Sequence, residues 1–172
     1  NLIDFYVDQD TTNELTSQYG NDVVANVYGN IDRAQTSGVE FSTAYDLSSW
    51  LTTQLGYAYL HAINKETGKY LTSRPKHDVK AGLDFYLSHK NKLSLKYQYY
   101  SNQFSDAENT LVTSAYSEVD VKWNYYPSNS VNIFAGVNNL TNIQRDFSIG
   151  SDLRPEAGRY VYVGIALTQL AF

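Results

Sequence analysis

Seven residues carry the side chains that could hold a flat anionic molecule: Tyr19, Tyr70, Arg74, Phe104, Arg145, Phe147 and Arg154. A guanidinium offers forked hydrogen bonds and stacks on rings, while Tyr and Phe supply aromatic planes. All seven fall in long polar stretches, the kind of connection where recognition concentrates when a rigid scaffold holds it. Ordinary loop duty accounts equally well for any one of them. Other chemistry is thin. His61, His77 and His89 are isolated at loop or turn edges, which fits solvated histidines better than metal ligands. DQDTTNE (8–14) has the acids of a calcium loop but lacks its glycine and its bidentate glutamate at the required spacing. Asn139-Leu140-Thr141 is a glycosylation sequon in form only. Ser, His and Asp make no nucleophilic constellation, and no Gly-rich phosphate loop is present. Neither catalysis nor a resident metal or cofactor is expected.

The elements that must position those residues are strands. In SEVDVKWNYYP (117–127), Glu118, Asp120, Lys122 and Asn124 alternate with Val119, Val121, Trp123 and Tyr125, a period of two. The same alternation recurs in 38–45, 51–60, 78–87, 93–99 and 131–138. With 2–7 and 159–172 it predicts eight strands, and no helical period competes. Tight turns fall at 46–50, 88–92 and 127–130, built from Asp, Ser, Asn and Pro. Between them run long polar connections at 8–22, 61–76, 101–115 and 139–158. Short and long alternate strictly, so the chain reads as an antiparallel up-and-down meander with its long loops at one end.

Composition narrows the class. A net charge of −5 leaves no basic stripe for nucleic acid. The absence of cysteine removes disulfides and thiolate sites. No run approaches the ~20 apolar residues of a membrane helix, a test to which barrel strands are invisible. There is no methionine, and Asn1 opens directly on strand-like alternation, so the chain is expected to belong to a longer polypeptide.

Three observations place lipid on the apolar face. Aromatics gather at strand ends: Tyr57, Tyr59, Tyr97, Tyr99, Tyr100, Tyr160 and Tyr162 toward the long loops, and Tyr45, Trp50, Phe85, Tyr86, Trp123, Tyr125 and Tyr126 toward the turns. Paired belts around an aliphatic band, with short turns at one end and long loops at the other, match outer-membrane barrels. The polar face carries Glu40, Asp78, Lys80, Asp84, Lys96, Glu118, Asp120 and Lys122 at mid-strand. A soluble sheet would leave that face to water but would not explain the belts.

Three segments also resemble a family, the TonB-dependent outer-membrane receptors. NIDRAQTSGVEFSTAYDL (30–47) is similar to a descending strand in their C-terminal third. VNIFAGVNNLTN (131–142) is similar to the segment before their last long loop, and RPEAGRYVYVGIAL to Phe172 (154–172) to their closing strand. The resemblance implies a transmembrane β-barrel, this chain supplying the last eight of 22 strands, around a plug that lies upstream. It implies uptake of a scarce ligand, most often a ferric siderophore, using energy relayed by TonB, with iron present only as part of the transported chelate. A haem or cobalamin receptor remains open. So do a complete eight-stranded barrel serving as adhesin or anchor, and a soluble barrel with its apolar face inside. The family further implies extracellular long loops, a periplasmic C-terminus and an assembly signal at Phe172 read by the barrel-assembly machinery. Gly164 lies eight residues before Phe172 and strict alternation turns Phe172 inward, so a bulge is expected within 168–172.

Overall fold

The computed structural model describes residues 2–7, 26–31, 33–144 and 157–167, with side chains from residue 33 onward. Eleven strands occur in this region: β1 (Leu2–Val7), β2 (Asn26–Ile31), β3 (Ala34–Ser48), β4 (Leu51–Asn64), β5 (His77–Ser88), β6 (Asn91–Tyr100), β7 (Gln103–Phe104), β8 (Val112–Thr113), β9 (Tyr116–Ser128), β10 (Val131–Asn138) and β11 (Tyr160–Leu167). Seven of them make one antiparallel sheet in the order β11-β10-β9-β6-β5-β4-β3. β7 and β8 pair with each other, as do β1 and β2. Among the described residues the largest sheet holds seven strands, and the expected strand at 2–7 is present as β1, outside that sheet. β1 joins β2 (Leu2 opposite Ile31), and sequence reading passed over β2 because Gly29 and the polar Asn26 and Asn30 blur its alternation.

Each short turn is two residues long: 49–50, 89–90 and 129–130. A register shift lies beside each, at Asp46/Ser48, Tyr86/Ser88 and Val131/Ile133. Such bulges add twist and let a tight turn join strands without splaying them. The serine before the turn caps it in two cases. Ser48 Oγ accepts the Trp50 N–H, and Ser88 Oγ accepts the Lys90 N–H at 3.2 Å and an Asn91 side-chain N–H at 2.9 Å.

The register sorts the side chains by face. Leu95 opposes Val121, Val121 opposes Val137, and Val137 opposes Val161, so one row crosses four strands on the apolar side. Among the described residues nothing covers that side: Val163 is 78% and Val161 74% exposed. Of the described hydrophobics only Ala62 and Leu71 are buried, Ala62 in the end of β4 that runs past β5 and Leu71 in the connection that follows it. A single-layer sheet this apolar on one side needs a nonaqueous neighbour. No described helix is long and apolar enough to cross a membrane, which says nothing of strands.

The aromatic belts are thinner than the sequence suggests. Tyr57, Tyr59, Tyr97 and Tyr99 share the apolar face at the long-loop end, and Trp50 stacks on Phe85 (6.3 Å) at the turn end. Tyr86, Tyr100, Tyr126, Tyr160 and Tyr162 point to the polar face instead. Tyr162 opposes Gly136 there and Tyr100 opposes Asp78. Position along a strand was legible from aromatic clustering; the face depends on parity.

Candidate functional site

The rim at the long-loop end is where the described candidates lie. β4 runs five residues past its last pairing with β5, Tyr59 opposite His77, and the connection 65–76 folds back over this extension. The Leu71 N–H donates to the Ala62 carbonyl (3.0 Å), Asn64 N–H to Lys69 (2.8 Å), and Leu60 N–H to Lys76 (2.9 Å). These bonds bury Leu71 against Ala62 and Leu60.

The next connection, 101–115, is shaped by the β7–β8 hairpin. Asp106 folds its tip: its carboxylate accepts the N–H groups of Thr110 and Leu111 and the Thr110 hydroxyl. Burial pushes the Asp106 carboxyl up, but those donors outweigh it and hold it below the usual carboxylate range. Asn109, left-handed at φ 58°, reaches across to the neighbouring loop. Its Oδ1 accepts the Tyr70 N–H (2.7 Å) and its Nδ2 donates to the Tyr70 carbonyl (3.0 Å). The Ser73 N–H donates to the Phe104 carbonyl, and Lys69 pairs with Glu108.

Tyr70 is the centre of this junction. Its ring stacks on Phe104 (5.9 Å, 19°), meets His61 edge-on (5.5 Å), and lies 3.9 Å beneath the Lys76 ammonium. The two loops thus form one platform. Arg74 stands exposed on it and donates to the neighbouring Ser73 carbonyl (3.1 Å). So the structure brings Tyr70, Phe104 and Arg74 to one place. Tyr19, Arg145, Phe147, Arg154 and Phe172, with the expected bulge in 168–172, lie outside the described residues.

Below the rim, the polar face is a field of paired groups. Asp84 takes Lys92 (3.0 Å) and the Ser94 hydroxyl (2.6 Å), and Lys80 pairs with Asp78 (3.2 Å). The Lys122 ammonium sits over Phe134 (4.5 Å). Asn132 donates to Asn124 (3.3 Å) and leaves its own buried oxygen without a protein partner. Asp84, Lys92, Lys122, Asn124 and Asn132, with Gln54, Asp120 and Tyr162, line a groove of about 570 Å³. Among the described residues no three His, Cys, Asp or Glu side chains gather as a metal site. His77 is engaged with Tyr57, whose hydroxyl lies 2.9 Å from its Nδ1.

Asn109, Asp106 and Asn139 were missed as organisers. The available signal was slight: each lies in a polar run, where Asn and Asp side chains readily bond nearby main chain, and Asn109 and Asn139 also take left-handed backbone.

Known proteins share this architecture. The family profile "TonB dependent receptor-like, beta-barrel" matches residues 3–140. A vitamin B12 transporter, BtuB of Photobacterium profundum, is 28% identical over 111 residues, 64% of this chain and 18% of that protein. A single-residue variant of the ferric enterobactin receptor PfeA from Pseudomonas aeruginosa superposes with a TM-score of 0.68. It is 21% identical, over 85% of this chain and 24% of the receptor. The copper transporter OprC gives 0.73 at 17% identity, over 96% of this chain and 26% of the transporter. At such identities the two structures speak for the fold, and the chain spans at most about a quarter of each relative. An open antiparallel meander, apolar and uncovered on one face and polar on the other, agrees with the profile that spans most of its length: the chain belongs to the TonB-dependent receptor family of outer-membrane β-barrels.

Proposed function

We propose that this chain is the C-terminal part of an outer-membrane active-transport receptor, not an enzyme, that takes up a ferric siderophore using energy relayed by TonB. One observation carries the reading: an aromatic platform, Tyr70 on Phe104 under Lys76, with the exposed cation Arg74 on the same connection. Stacked rings edged by cations suit a flat anionic chelate. The names of similar structures, among them ferric enterobactin and ferric-catecholate receptors, support the same ligand class. Tyr19, Arg145, Phe147 and Arg154 complete the contact set in this reading. Iron enters only within the chelate, as cargo, and no resident cofactor is needed. The long loops face the medium and the C-terminus the periplasm. A plug and a TonB contact upstream, and the barrel-assembly machinery acting through Phe172, are the further partners.

A cobalamin ligand is the second reading, favoured by the 28% identity to a vitamin B12 transporter. Growth separates the two. In the full-length protein, Arg74→Ala, Arg145→Ala and Arg154→Ala together should abolish siderophore-dependent growth under iron limitation while leaving the heat-modifiable barrel at normal levels. Unchanged growth on every siderophore tested, with growth dependent on vitamin B12, overturns the siderophore assignment.

A further inference from the structure

The β10–β11 connection is tied differently from the platform, and the tie starts on the wall. Asp120 lies on the polar face of β9, opposite Lys96. Its Oδ1 accepts the backbone N–H of Asn139 at 2.9 Å, immediately after β10 ends. Asn139 is 5% exposed and left-handed at φ 49°. Its side chain then holds both ends of the connection. Oδ1 accepts the Ile143 N–H (2.9 Å), and Nδ2 donates to the carbonyls of Ile143 (2.8 Å) and Ala157 (3.2 Å). Asn142, also left-handed (φ 55°), receives the Arg159 N–H on its Oδ1 at 2.9 Å and donates its own N–H to the Asn139 carbonyl (2.8 Å). Residues 143 and 157 are thus held through one buried amide, and that amide's backbone is anchored to a wall carboxylate.

We propose that Asp120 and Asn139 are positioning residues that register both ends of the β10–β11 connection to the polar wall of the barrel. Glycine can supply the left-handed backbone at 139 but none of the three side-chain bonds, and aspartate there would set a carboxylate against two carbonyls. At 120 only an acceptor is needed, so an amide oxygen serves where a methyl group does not. The proposal stands on this geometry and not on the ligand, so its failure leaves the proposed function untouched.

Hydrogen exchange on the full-length receptor in detergent tests it. Asp120→Ala should speed exchange roughly tenfold in the peptide covering 157–161, the size expected for a lost hydrogen bond. That peptide lies far along the chain from the substitution, and its Ala157 carbonyl is reached from Asp120 through Asn139. Asp120→Asn should restore protection, which a purely electrostatic role of the carboxylate would not. Asn139→Gly should speed exchange in the same peptide, and being outside the strands it serves if Asp120→Ala fails to assemble. Wild-type protection at 157–161 in a heat-modifiable Asn139→Gly barrel overturns the proposal, as does an Asp120→Asn profile that matches Asp120→Ala.

Discussion

The wall and the rim of this molecule are held by different physics. In the sheet β3–β4–β5–β6–β9–β10–β11, order comes from backbone ladders, and side chains are asked mainly to be apolar on one face and polar on the other. At the rim, order comes from individual side chains bonded to main chain: Asp106 and Asn109 in one place, Asn139 and Asn142 in another. Buried hydrophobic contact contributes only at Ala62 and Leu71 among the described residues. A wall of this kind tolerates exchange within a class at most positions. A rim of this kind does not tolerate loss of particular amides.

The largest effect should come from breaking the wall's class rule. Val121, in the middle of β9 on the apolar face, should cost about 2–4 kcal/mol as Val121→Arg if it sits near the bilayer midplane. Folding of the full-length protein into lipid vesicles measures it. A cost no greater than that of the wall-internal Ser94→Ala, about 1 kcal/mol for one hydrogen bond, would mean that the apolar face is not against lipid.

Next come two wall positions where class is not enough. A Cβ at Gly136 would overlap the Tyr162 ring, and one at Gly164 the Phe134 ring. Gly136→Ala should therefore cost about 1–3 kcal/mol through overpacking, even though alanine belongs comfortably in strands. Equal stability of Gly136→Ala and wild type would show that the Tyr162 ring swings away freely.

At the rim the effect should be local. Asn109→Ala removes both bonds to Tyr70 and leaves a methyl-bearing residue at positive φ, a conformation costing about 1–2 kcal/mol outside Gly and Asn. Protease sensitivity within 65–76 and 101–115 should rise while barrel assembly stays normal. Asn109→Gly should recover only the backbone part. Global unfolding of the barrel by Asn109→Ala would erase the distinction between rim and wall.

The smallest effect concerns pH. The Asp106 carboxyl is held below the ordinary value of about 4 by Leu111 and Thr110 donors. Its contribution is fully present above that ordinary value and fades as pH falls through the lower native one. Amide exchange in 105–112 should thus be insensitive to carboxylate titration from neutral pH to about pH 4 and should quicken below it. Asp106→Asn should remove most of that acid dependence.

The wall was readable from sequence because its rule is periodic. Strands β4, β5, β6, β9 and β10, their turns, and the apolar row through Val121 follow from alternation alone. Tyr160 and Tyr162 were grouped with the belt because clustering was read without parity. β2 escaped because its alternation is broken at Gly29. The rim resisted for another reason: its order depends on which amide meets which carbonyl across some 40 residues, as Asn109 meets Tyr70. No local pattern encodes that. Arg74 and the Tyr70–Phe104 pair could be nominated by type and location, whereas their joining into a platform could not. Asn139, dismissed in sequence as part of an idle sequon, makes three side-chain bonds to main chain at the loop base.

The aromatic–glycine pairs on β10 and β11 also solve a problem that alternation leaves open. A strand displaced by one residue exposes its error at once, since every side chain changes face. Displacement by two residues keeps every face correct and escapes that check. Here it would not escape. In the native register Phe134 faces Gly164 and Tyr162 faces Gly136. Shifted by two in one direction, Phe134 would meet Tyr162 ring against ring. Shifted in the other, the two glycines would face each other across an empty patch. The large and small residues work like the bitting of a key, and they reject the misalignments to which a two-letter polar and apolar code is blind.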